Sequence, residues 1–114
     1  MIGIFGGTFN PIHVGHLRAA EEVVEALALE RMLFVPSARP PHKRSGHQEI
    51  APAHLRLRWV ELAVRDNPHF TVDPIEVERP GPSYLVDTLR TLRERQREPD
   101  GLVFVVGQDA FSEM

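Results

Sequence analysis

The stretch Met1-Ile-Gly-Ile-Phe-Gly-Gly-Thr-Phe-Asn-Pro-Ile-His-Val-Gly-His-Leu17 decides the fold. Met1 to Phe5 is a short apolar run that stops at Gly6-Gly7, the length and punctuation of a buried strand. From His16 to Leu29 the apolar positions Leu17, Ala20, Val24 and Leu27 recur three or four apart, while Glu21, Glu22 and Glu25 take other faces. That is helical periodicity. A glycine-bearing loop between a strand and a helix N-terminus is a place where free backbone N–H groups and the helix dipole favour an anion.

Working outward, Met32-Leu-Phe-Val35 is a second apolar run, ended by Pro36 and followed by a long loop from Ser37 to Ile50. Pro52 suits the first turn of a second helix, in which Leu55, Trp59 and Leu62 form a stripe that runs out near Asn67-Pro68. Trp59 has the spacing of core packing and no ligand role. Phe70 to Val77 alternates around Pro74 and reads as an interrupted strand. Pro82-Ser83 caps a third helix whose apolar face is Leu85, Leu89 and Leu92, and Pro99-Asp-Gly101 ends it. Leu102-Val-Phe-Val-Val106 is the most β-like run of all, as expected of a central parallel strand buried on both faces. Alternating strands and helices predict an open parallel α/β sheet with right-handed crossovers. Ligands in such sheets bind beyond the carboxyl ends of the strands, which points to the loops Gly6 to His16, Ser37 to Lys43 and Gly107 to Phe111.

At 114 residues the chain suits a single domain, residues 1–114, and 42% hydrophobic with 25% charged residues is the balance of a globular protein. No apolar run approaches the roughly 18 residues of a membrane span, and the start lacks a basic leader, so the expectation is no membrane and a cytoplasmic location. The absence of cysteine excludes disulfides, thiolate zinc sites and thiol nucleophiles. A net charge of −3 repels polyanions, so no nucleic acid partner is expected. An anionic ligand must then be drawn by local donors, and Arg39-Pro-Pro-His-Lys-Arg44 is crowded with them.

The first loop is not a P-loop, since no Gly-Lys-Ser/Thr follows the glycines, and it lacks the Gly-x-Gly-x-x-Gly dinucleotide fingerprint. What remains is His13 and His16, three apart at the entrance of the first helix. An imidazole can donate to a phosphate oxygen and accept positive charge as negative charge builds there. Two blander readings stand beside it. Gly6-Gly7 could be a tight turn with capping histidines, or the pair could bind a metal, although two histidines without a third ligand suit that poorly.

The run from Gly6 to Leu17 resembles the His-x-Gly-His signature of the nucleotidylyltransferase superfamily, whose motif binds a nucleotide triphosphate. Phe34-Val-Pro with Pro40-Pro-His-Lys43, Glu78-Arg-Pro-Gly-Pro-Ser-Tyr-Leu-Val-Asp-Thr-Leu89, and Phe104-Val-Val-Gly-Gln-Asp109 narrow the likeness to the bacterial nicotinate mononucleotide adenylyltransferases. The resemblance implies a Rossmann-like sheet with helices on both faces. It also implies adenylyl transfer from ATP, accompanied by Mg²⁺, to nicotinate mononucleotide, giving deamido-NAD and pyrophosphate. His16, His13 and Lys43 would contact the reacting phosphates. Gly6, Gly7, Thr8, Phe9, Gly107 and Asp109 would hold the nucleotide, Asp109 at its ribose hydroxyls. Ser83, Tyr84, Asp87 and Thr88 would hold the pyridine side, and no resident metal site is implied. Family members continue through a further strand and helix to an Ile-Ser-x-Thr-x-Ile-Arg-like segment, so the chain is expected to be a C-terminally truncated form. The alternatives are a phosphopantetheine adenylyltransferase-like enzyme, a non-catalytic nucleotide-binding fragment and a piece of a class I tRNA synthetase. Association into a homo-oligomer is compatible with the sequence.

Overall fold

The computed structural model describes residues 1–37, 50–78, 85–96 and 101–106. Its elements are β1 (Ile2–Gly7), α1 (Val14–Leu27), β2 (Arg31–Pro36), α2 (Ala53–Val64), β3 (Phe70–Val72), α3 (Ile75–Glu78), α4 (Leu85–Gln96) and β4 (Leu102–Val106). All strand pairs are parallel, in the order β3-β2-β1-β4. The chain builds from β1 through β2 to β3 on one side, then returns to lay β4 on the other side of β1. The crevice beyond the carboxyl end of β1 is therefore the switch point at which such sheets take ligands.

Alternation along the strands divides the core in two. Phe5, Met32, Phe34 and Phe70 face one way and are covered by Ala20 and Val24 of α1 and by Val60 and Val64 of α2. Ile2, Ile4, Leu33 and Val35 face the other way, beneath Ile75 of α3 and Leu92 of α4. Helices thus lie on both faces of the sheet. None of them, among the described residues, is long and apolar enough to cross a membrane.

Several boundaries differ from the sequence reading, each for a local reason. Gly6 and Gly7 are no turn: they continue β1, in register with Val35 and Pro36, and the Ser37 N–H donates to the Gly7 carbonyl at 2.9 Å. Helix α1 begins earlier, at Val14, because His13 caps it. It ends at Ala28, whose φ of 52° is left-handed, and the Leu29 N–H then closes back on the Val24 carbonyl at 3.0 Å. This closure buries Leu29 and leaves Leu27 exposed, although the periodicity had put Leu27 on the core face.

In α2 the stripe of Leu55, Trp59 and Leu62 is not the core face. Arg56, Val60 and Val64 are buried instead, while Leu55 and Leu62 are exposed. Only Phe70–Val72 of the predicted third strand pairs, with Met32–Phe34. Pro74 has no N–H for a ladder, and the Asp73 carboxylate accepts from the Ile75 N–H at 3.1 Å, turning the chain into α3. Finally, β4 pairs with β1 alone among the described residues and is half-buried from Leu102 to Val105, whereas β1 and β2 are each flanked on both sides.

Candidate active site

Beyond Gly7 the chain leaves the sheet through Thr8 and Phe9, both buried. Phe9 has φ 52°, a left-handed conformation that a bulky side chain adopts only when its surroundings enforce it. Its ring enforces it, packing 5.6 Å from Phe5 and 5.9 Å from Phe34, centroid to centroid. The ring also folds back over the strand, where a Cβ on Gly7 would approach it at 3.3 Å. The Asn10–Pro11 peptide bond is cis, and helix α1 starts after His13.

The histidine pair builds that start. The His13 N–H donates to His16 Nδ1 and the Gly15 N–H donates to His13 Nδ1, both at 3.0 Å, which is a reciprocal capping box made of imidazoles. A nitrogen that accepts a backbone N–H carries no proton, so each neutral ring holds its hydrogen on Nε2, at the far side from the helix. The arrangement therefore orients one ring N–H on each histidine. The rings stand 3.9 Å apart, with His13 exposed and His16 at 7% exposure. Edge contacts with Phe9 at 5.1 Å and Phe5 at 6.1 Å seat His16 on the core. Gly15 leaves room for the His13 ring, because a Cβ there would lie 2.9 Å from Cε1.

A second set of bonds ties this loop to its neighbours. Arg56, 1% exposed, donates from Nε to the Ala51 carbonyl at 2.8 Å and from Nη1 to the carbonyls of Thr8 at 2.8 Å and Ser37 at 2.7 Å. Burial pushes its pKa below the ordinary arginine value. Asn10 accepts the Ala51 N–H on Oδ1 at 3.0 Å. The end of β1, the end of β2 and the approach to α2 are thereby fastened together. Asn10, Ile50, Ala51 and Pro52 line an open recess of about 530 Å³ beside them.

Of the residues expected at the site, Gly6, Gly7, Thr8, Phe9, His13 and His16 come together at the carboxyl end of β1. Lys43, Ser83, Tyr84, Gly107 and Asp109 lie outside the described residues, as does the side chain of Asp87. Thr88 sits on α4 at 2% exposure and donates from Oγ1 to Glu76 Oε2 at 2.9 Å, so a ligand contact through that hydroxyl would need this bond to break.

Residues 4–114 match the cytidylyltransferase-like family. The chain belongs to that family. Among its relatives, a probable nicotinate-nucleotide adenylyltransferase of Thermus thermophilus is 51% identical over 113 residues, covering 99% of this chain and 58% of that protein. One from Geobacter metallireducens, of the same description, is 50% identical over 109 residues, covering 96% and 49%. The chain thus spans about half the length of the curated relatives it matches. The fold also matches the Plasmodium falciparum nicotinic acid mononucleotide adenylyltransferase complexed with NaAD, at a TM-score of 0.61 and 17% identity, covering 93% of this chain and 50% of that one. The complex of the Plasmodium falciparum protein with APC gives a TM-score of 0.65 at 16% identity, covering 93% and 49%.

Within this cytidylyltransferase-like domain the motifs themselves point neither to Arg56 nor to the anchoring role of Asn10. A signal for Arg56 existed: it stands four and eight residues before Val60 and Val64, in line with the buried face of α2.

Proposed function

We propose that the chain is the nucleotide-binding domain of an enzyme that moves the adenylyl group of ATP onto nicotinate mononucleotide, forming deamido-NAD and releasing pyrophosphate in the cytoplasm. The names of the relatives support the substrate pair. The observation that carries the chemistry is the imidazole capping box at the switch point of the sheet.

The attacking 5′-phosphate is already an anion, so no side chain has to deprotonate it. In-line positioning and stabilisation of charge on the α-phosphate and on departing pyrophosphate remain as the protein's work. His16 and His13 would supply Nε2–H donors, fixed in direction because each Nδ1 is held by the backbone. The amides of Thr8 and Phe9 would face the nucleotide, just beyond Gly6 and Gly7 at the end of β1, joined by Gly107 and by Asp109 at the ribose. Lys43 would follow the phosphates as a compact cation. Mg²⁺ carried by ATP would share the phosphate charge. Ser83, Tyr84 and Asp87 would meet the pyridine ring and its carboxylate at the opening of α4, with Thr88 contributing its backbone.

In the intact protein, ATP and nicotinate mononucleotide should yield dinucleotide and pyrophosphate, and His16→Ala should lower turnover by roughly two to three powers of ten. Pyrophosphate release that depends on phosphopantetheine instead, or an unchanged His16→Ala rate, would sink the proposal.

A further inference from the structure

An arginine on the core face of α2 is costly where an apolar residue in line with Val60 and Val64 would pack as well. Its geometry gives the reason for its presence. One planar group reaches the last turns of two neighbouring strands and the chain entering α2, using two nitrogens in a fixed fork. The Thr8 carbonyl it holds directly precedes Phe9, the residue kept in the left-handed region. The Phe9 ring in turn forms the edge against which His16 stands at 5.1 Å. On the far side of Phe9, Asn10 is fixed to Ala51, whose carbonyl the same arginine holds. Both flanks of Phe9 are therefore anchored to one point.

We infer that Arg56 is a positioning residue for the phosphate-binding loop. By holding the carbonyls of Thr8, Ser37 and Ala51 together it fixes where Phe9, and through it the His16 imidazole, stands. The inference rests on the adenylyl-transfer reading for its consequence in catalysis, though not for its structural content. A lysine cannot replace the fork, because a single ammonium cannot take the place of both Nε and Nη1.

The test uses the intact protein, its Arg56→Lys and Arg56→Met variants, amide hydrogen exchange and steady-state kinetics. In Arg56→Lys the amides from Thr8 to His16 should exchange about tenfold faster than in the wild type, while those of β1 and β2 keep their protection. Dinucleotide formation should fall about 100-fold in kcat with a smaller change in the KM for ATP, and Arg56→Met should behave alike. Loop amides that exchange no faster, with any lost activity matching the unfolded fraction, would overturn the inference. Should neither variant fold, the wild-type guanidinium decides. Its Nε–H signal should be protected from exchange relative to exposed Arg58, and equal exchange would overturn it. A wild type that makes no dinucleotide would refute the adenylyl-transfer reading alone, since the exchange experiments need no substrate.

Discussion

Replacing Gly15 by alanine should separate the stability of α1 from the placement of its histidines. The added Cβ would stand 2.9 Å from Cε1 and 3.0 Å from Nδ1 of His13, closer than such atoms tolerate, so the imidazole must swing away. Swinging breaks the bond from the Gly15 N–H to His13 Nδ1, a capping interaction worth about 1 kcal/mol. Alanine returns up to about 1 kcal/mol relative to glycine within a helix. Gly15 is not among the residues of positive φ, so its backbone suits alanine. The two contributions nearly cancel, and urea unfolding should show a net change within about 1 kcal/mol. Activity has no such compensation. A displaced His13 loses its 3.9 Å ring contact with His16 and its fixed tautomer, and turnover at saturating ATP and nicotinate mononucleotide should fall about 100-fold. Full turnover in a stably folded variant would show that the capping box does not orient the reacting imidazoles. A loss beyond about 3 kcal/mol would show that Gly15 serves the fold in some way this geometry misses.

Three further substitutions probe the frame around the site. Gly3→Ala puts a Cβ 2.7 Å from Met32 Sδ and 2.8 Å from Leu29 Cδ1, and should cost about 1–3 kcal/mol in denaturant unfolding. Thr88→Val removes the donor to Glu76 and should lower stability by about 1–2 kcal/mol while leaving the KM for nicotinate mononucleotide unchanged, as kinetics beside thermal melts will read. Leu92→Ala, at a side chain of 0% exposure, should cost about 2–5 kcal/mol by calorimetry without altering either KM.

The order of elements was legible because apolar periods and glycine or proline punctuation follow from backbone geometry alone. The burial of single faces was not. Helix α2 offers two neighbouring faces, Leu55-Trp59-Leu62 and Arg56-Val60-Val64, and the sequence favours the one that is wholly apolar. The structure buries the other because three carbonyls satisfy Arg56. Similarly, β4 looks central by its β-branched content, yet among the described residues it pairs with β1 alone, while β1 and β2 each have a strand on both sides. Gly3, Gly6 and Gly7 conceal the β character of β1, since their missing side chains make room for Met32 and Leu29, Phe104 and Phe9 respectively. At the site, the motif announced a pair of imidazoles. Capping histidines, the blander reading, are present; that the two cap the helix reciprocally required coordinates, because the usual capping box pairs a hydroxyl residue with a carboxylate or amide one.

The contact of His16 with Phe5 and Phe9 makes that imidazole one piece with the hydrophobic interior. Such an imidazole has no hinge of its own. Warming cannot loosen it ahead of the rest of the molecule, so heat inactivation and the collapse of the aromatic interior should be a single event with one midpoint.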